Sequence, residues 1–215
     1  MQRLTFTILL FFAAVGETTV KAQPPTSATT ITAGKGILLG QINPQLKSLK
    51  KTDLTLEFWI RPDQATIDRE RALLWLFANQ RGTDSACIGM SLSGGKLLSN
   101  VLGTKFTYAG PLVANQWVHV CLTVEARTLN KIATFWVNGH RVDRALVASR
   151  WPDGFFYARM MNDPWGLNRV FSGQTGPIRI SSKVLYRQKF DPGSDWTSTD
   201  TTLLLLKAEQ IQPAE

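Results

Sequence analysis

Paired carboxylates are the first residues to look for, because two acids on one strand face can cleave a glycosidic bond. A retaining pair stands about 5–5.5 Å apart, which acids written E-x-D-x-(x)-E along a strand would supply. Beyond residue 22, glutamate occurs only at 57, 70, 125, 209 and 215, and none of these begins that pattern. Asp68 and Glu70 are close, but arginines interleave them in Asp-Arg-Glu-Arg, as in a solvated loop. No G-x-S-x-G motif prepares a serine, and His119 stands among strand residues that read as core. No catalytic residues are therefore expected; a divergent polysaccharide hydrolase or lyase would have to combine Glu57 with a distant aspartate.

Tryptophans carry a different chemistry. Strand alternation places Glu57, Trp59, Trp117, His119, Cys121, Thr134 and Trp136 on the face opposite the core positions of three strands. A face that meets water seldom carries three tryptophans unless something covers it or binds it. An indole pairs a broad apolar surface with one N–H donor, which suits stacking on sugar rings. The segment Trp151-Pro-Asp-Gly-Phe-Phe-Tyr157 through Asn162-Asp163-Pro-Trp165-Gly166 is the natural cover. It serves equally as a loop-tip site, since recognition residues concentrate on loops. Trp59, Trp117, Trp136, Trp151, Tyr157 and Trp165 are thus the candidate ligand-binding residues, with burial of the rings under loops as the alternative.

Calcium takes six to eight oxygens from loop carboxylates and carbonyls; Asp84, Asn162 and Asp163 are the loop residues that could contribute, and Asx-turns are their other use. Two cysteines could complete a structural zinc site only with both histidines, His119 and His140. If Ala86, Ile88, Met90 and Leu92 face the core, Cys87 points away from it, as Cys121 does. A Cys87–Cys121 disulfide then needs neighbouring strands in one sheet and Cα atoms within about 7 Å; two free thiols are the other outcome.

The elements that must position these residues are strands. Leu54, Leu56, Phe58 and Ile60 alternate, as do Val118, Val120, Leu122 and Val124, and then Ala133, Phe135 and Val137. Asn138-Gly139 fits a type I′ turn, so His140–Leu146 should return as a hairpin partner. Further strands are expected at 36–39, 72–78, 86–92, 96–102, 177–183 and 202–207. Many short strands with turn signals and no helical stretch predict an all-β, two-sheet antiparallel sandwich.

Residues 1–22 resemble an export signal, with Arg3 before an apolar stretch from Leu4 to Val15 and Val20-Lys21-Ala22 suited to cleavage. The chain is expected to act outside the cytoplasm, with a flexible lead-in at 23–35, one domain at 36–207 and a tail at 208–215. No later segment approaches the ~20 apolar residues of a membrane span. Net charge is +8; Arg3, Glu17 and Lys21 together contribute +1, leaving about +7 after cleavage. Such a surface favours polyanions, yet its lysines and arginines are scattered, and only Lys47 with Lys50-Lys51 approaches a run. A nucleic-acid partner is not expected.

The motif order resembles that of laminin-G-like (concanavalin A-like) jelly rolls. Leu54-Thr-Leu-Glu-Phe-Trp-Ile-Arg-Pro62 is similar to their opening strand. Asn115-Gln-Trp-Val-His-Val-Cys-Leu-Thr123 resembles their W-x-H-V-x-L-T strand, and Phe135-Trp-Val-Asn-Gly-His-Arg-Val142 the hairpin after it. Gly173–Ser182 and Asp200–Lys207 resemble later strands, so the likeness runs from Gly36 to Lys207. His119-Val-Cys121-Leu-Thr123 also partly matches the pentraxin pattern H-x-C-x-S/T-W-x-S/T. It departs at Val124 and Ala126, and the partner cysteine would fall near Glu57, so pentraxin-like calcium binding is not implied. The resemblance implies a jelly roll and an exported, non-catalytic module that recognises carbohydrate or a cell-surface protein. A structural or protein-interaction domain is the alternative, and the sequence leaves oligomeric state open.

Overall fold

The computed structural model describes residues 23–31, 36–38, 53–69, 71–77, 87–126, 131–147, 157–161 and 171–211. Two antiparallel sheets enclose a single apolar core. In spatial order the larger sheet is β1 (Thr29–Ile31), β12 (Gly173–Ser181), β3 (Leu54–Pro62), β8 (Val118–Ala126), β9 (Lys131–Val137) and β10 (His140–Val147). Strand β13 (Thr202–Leu206) pairs with β12 beyond the short β1. The smaller sheet runs β2 (Ile37–Leu38), β11 (Tyr157–Met160), β4 (Arg71–Phe77), β5 (Cys87–Ser93), β6 (Lys96–Val101) and β7 (Thr104–Tyr108).

Side-chain alternation sets the registers. Leu54, Leu56, Phe58 and Ile60 pair with Val124, Leu122, Val120 and Val118, and all eight are buried. Slipping β3 by one residue would put Thr55, Glu57 and Trp59 into the core and these apolar residues outside. Ile88, Met90, Leu92, Leu97 and Phe106 close the core from the smaller sheet. Each such side chain contributes roughly 1.5–3 kcal/mol by leaving water.

The expected all-β sandwich is present, and Asn138 and Gly139 form the β9–β10 turn with φ of 49° and 74°. Gly139 is needed twice over, because a Cβ there would also collide with the Phe190 carbonyl oxygen. Three strands differ from expectation. Strand β7 follows a two-residue turn in which Leu102, at φ 51°, precedes Gly103; a leucine in the left-handed region is a weak turn signal. Strands β1 and β11 span three and four residues, too short for alternation to register. One short helix, α1 (Gln64–Ile67), is capped by the Asp63 carboxylate, which accepts the Thr66 N–H at 2.7 Å.

The domain limits also shift. The expected lead-in contains β1, which pairs with residues 173–175 and buries Ile31. The expected tail begins with a 3-10 turn, Ala208–Gln210. Ala208 and Ile211 are buried, and the Ala208 carbonyl accepts the Thr29 hydroxyl. Both ends fold onto the edge of β12. Among the described residues no helix is long and apolar enough to cross a membrane.

Candidate functional site

Strand registers lay the outer face of the larger sheet out in rows. One row crosses six strands as Leu205, Arg179, Glu57, Cys121, Trp136 and Arg141. Trp59 sits beside His119 in the neighbouring row, and Thr55, Thr123, Thr134 and Arg144 make another. Sequence alternation had placed Glu57, Trp59, His119, Cys121, Thr134 and Trp136 together on this face, and the registers do the same.

This face is covered. Trp59 and Trp136 are each 1% exposed, and Glu57 and His119 are 0% exposed. The described cover is the strap from Lys183 to Trp196, which follows β12. The 151–166 segment nominated as cover lies, apart from residues 157–161, outside the described residues. The Leu185 N–H bonds the Thr55 hydroxyl at 3.1 Å, and the Phe190 N–H bonds the Gly139 carbonyl at 3.2 Å. Trp59 Nε1 donates to the Gly193 carbonyl at 3.1 Å. Phe190 packs edge-on to Trp136 with ring centres 5.6 Å apart, and Tyr186 stacks on Phe190 at 3.5 Å.

Beneath the strap lies a buried polar cluster centred on Glu57. Arg179 Nε donates to Glu57 Oε1 at 2.7 Å, and its Nη2 lies 2.6 Å from the same oxygen. The other carboxylate oxygen contacts His119 Nε2 and accepts the Tyr186 hydroxyl, both at 3.1 Å. Arg179 also donates to the Tyr186 oxygen at 2.9 Å and stands 4.8 Å from the Trp196 ring centre. The contact with Glu57 places a donor at Nε2, and Nδ1 is buried with no hydrogen-bond partner among the described residues. The carboxylate is neutralised, fully bonded and closed to solvent. That arrangement locks a strap onto a sheet.

The strap's own titration reflects this setting. Burial, and then the negative charge of Glu57, push the Tyr186 phenol far above its ordinary value, with Arg179 opposing. A raised value in the fold gives stability that is complete below the unfolded value, about 10, and lost as pH climbs beyond it. The urea midpoint should therefore fall from about pH 9 to about pH 11, and fall less in Tyr186→Phe. Equal falls would show that the phenol is not held in this cluster.

Of the two readings of the tryptophan face, burial is the one observed: Trp59 and Trp136 are interior residues whose indole N–H groups bond Gly193 and the Thr123 hydroxyl. Trp117 is half-buried, just before β8. Tyr157 opens β11 opposite Phe77, with its side chain outside the description. Trp151, Trp165 and the calcium candidates Asp84, Asn162 and Asp163 also lie outside the described residues, among which no three acids, histidines or cysteines gather around a metal position. Sequence reasoning missed Tyr186, Phe190 and Trp196. Their signal was an aromatic, turn-rich stretch with Asp191-Pro-Gly193.

The disulfide does not form. Cys87 lies in β5 of the smaller sheet and Cys121 in β8 of the larger; both are buried outside any disulfide, and Cys87 Sγ accepts from Asn100 Nδ2 at 3.3 Å. They miss the shared-sheet requirement, and each sits at a register position opposite the core residues of its strand. Burial first, and then the charge of Glu57, hold the Cys121 thiol well above its ordinary value, so it stays protonated and inert. A thiol reagent should label neither cysteine in the native protein and both after denaturation; rapid native labelling would contradict the burial.

A groove of about 530 Å³ runs along β13, between Trp196, Thr197 and Ser198 and the chain at Leu203, Leu205 and Lys207. Leucines of β13 and the hydroxyls of Thr197, Ser198 and Thr202 both line it.

Residues 39–189 match the family described as the concanavalin A-like lectin/glucanases superfamily. No curated relative matches the sequence. Among solved structures, a Bacteroides ovatus protein described as carbohydrate-binding superposes with a TM-score of 0.55 at 16% identity, covering 87% of this chain and 50% of that one. This chain thus spans half of that protein's length. The CBM40 module of the Ruminococcus gnavus IT-sialidase, bound to α2,3-sialyllactose, gives 0.55 at 14% identity, covering 74% of this chain and 92% of that one. The leech intramolecular trans-sialidase gives 0.57 at 15% identity, with 80% of this chain covered and 27% of that one. At these identities the likeness is one of fold.

Proposed function

Since the chain belongs to the concanavalin A-like lectin/glucanases superfamily, we propose that it is a non-catalytic carbohydrate-binding module acting outside the cytoplasm. The observation that carries this reading is the state of Glu57. The family description joins lectins and glucanases, and the glutamate singled out as the hydrolase candidate is 0% exposed and bonded to Arg179, His119 and Tyr186. A carboxylate with no route to solvent cannot donate a proton to a glycosidic oxygen. Recognition without cleavage is the function that the remaining surface supports.

The β13 groove is where we place sugar contact, because apolar and hydroxyl-bearing walls meet there. The test is a glycan array probed with and without calcium. Binding to a defined set of glycans supports the reading, and calcium dependence would bring in the sequence candidates Asp84, Asn162 and Asp163. Binding to none under either condition would overturn it.

Burial of Trp59 and Trp136 favours a second reading, a structural or protein-interaction module. With its rings committed to the strap, the covered part of the larger sheet's outer face serves stability, and a partner docks on what stays exposed. A silent array together with a defined protein partner would select it.

A further inference from the structure

We propose that the β10 edge of the larger sheet binds acidic polysaccharide through a ridge of Arg141, Arg144, Arg187 and Lys189; this rests on the carbohydrate-binding reading and adds a second contact surface, at the sheet edge opposite the β13 groove. The ridge exists because of a bulge. In a regular strand, residues three apart point to opposite faces, so Arg141 and Arg144 would be separated. The register of β10 shifts between Arg141 and Asp143, so that Arg141 pairs with Trp136 and Arg144 with Thr134. Trp136 and Thr134 share the outer face, so the extra residue, Val142, brings both arginines to it.

The strap adds the other cations. Arg187 Nη1 stands 3.2 Å from Glu125 Oε2, and Arg144 Nη2 lies 3.4 Å from Glu125 Oε1. One carboxylate thus holds a guanidinium from the strap beside one from β10, with one positive charge in excess. Lys189 is exposed and precedes Phe190, whose N–H bonds Gly139 at the turn two residues before Arg141. Among the described residues no acid pairs with Arg141 or Lys189. The exposed acids nearby in sequence are Asp143, whose carboxylate accepts the Arg144 N–H, and Asp191.

Polysaccharide fits this ridge better than nucleic acid. Single-stranded nucleic acid binds by stacking bases on aromatic rings beside a basic groove, and here Trp136 is buried and Phe190 packs against it. What the ridge offers instead is cations at strand spacing, about 7 Å for alternate residues, with Leu146 63% exposed farther along the same face. Those groups suit a polymer that presents carboxylates or sulfates along a C–H-rich backbone.

The test compares the full chain with Arg141→Glu/Lys189→Glu on immobilised polygalacturonate, dextran sulfate, neutral dextran and single-stranded DNA. Arg69→Glu/Lys96→Glu is the control, with the same change in net charge at exposed residues outside the ridge and the β13 groove. The expected result is salt-sensitive binding to one or both acidic glycans, about tenfold or more weaker in the ridge variant and unchanged in the control. The carboxylated and sulfated arms say which anion is preferred, and matched melting curves confirm that both variants fold. Equal losses in ridge and control variants, or DNA bound as tightly with the same dependence on the ridge, would overturn the proposal. If an array finds neutral glycans bound while neither acidic polymer is held, the ridge fails and the carbohydrate reading stands. If no glycan of any kind binds, both fail.

Discussion

Arg179→Ala is expected to destabilise the fold by about 3–5 kcal/mol, the cost of leaving a buried carboxylate without its counter-ion. Among the described residues Arg179 is the arginine or lysine paired with Glu57, and Glu57 has no access to water. Truncation also removes the donor to the Tyr186 oxygen and the cation above Trp196, so the strap loses anchors along with the sheet. Glu57→Gln is the informative companion, since it removes the charge and keeps most of the shape. It should cost less than Arg179→Ala, because the Arg179 side chain it leaves unpaired is 13% exposed and reaches water, whereas an unpaired Glu57 is 0% exposed. Urea unfolding of the two variants and the double variant measures this directly. Additive losses, or an Arg179→Ala cost below about 1 kcal/mol, the scale of a surface pair, would show that the cluster is open to solvent.

The second large effect is at the tryptophans. Trp136→Ala and Trp59→Ala should each cost about 3–5 kcal/mol, as buried aromatic truncations do. Glycan binding by the protein that remains folded should be unchanged. A sugar platform predicts the reverse pattern, with small losses of stability and large losses of affinity. Trp136→Phe should fall between wild type and alanine, since it keeps the packing on Phe190 and loses the hydrogen bond to Thr123.

Much of this fold is legible in the sequence because period-two alternation is strict where one face is buried. Leu54–Ile60 and Val118–Val124 show their core face at a glance, and Asn138-Gly139 announces its hairpin. What could not be read has local physical causes. Leu102 takes a left-handed conformation that leucine seldom adopts, which hid β7. Thr29–Ile31 is too short to alternate and becomes a strand only through its pairing with β12.

The tryptophan face was located correctly, but its state depended on the strap, a tertiary fact. Tyr186, Phe190 and Trp196 are spaced irregularly in a segment without secondary structure, so no periodicity reveals what they cover. The same limit applies to charge. Arg141 and Arg144 look scattered at a spacing that alternation sends to opposite faces, and only the bulge at Val142 aligns them.

These features give one account: an inner apolar core, a second polar and aromatic core closed by the strap, and recognition left to what remains exposed. The most direct measurement is to incubate the chain with a glycan that it binds on an array and to follow new reducing ends, alongside Glu57→Gln. The account predicts a glycan that is held and left intact, with equal binding by the folded variant. Release of reducing ends by the wild-type chain, abolished in Glu57→Gln, would contradict it.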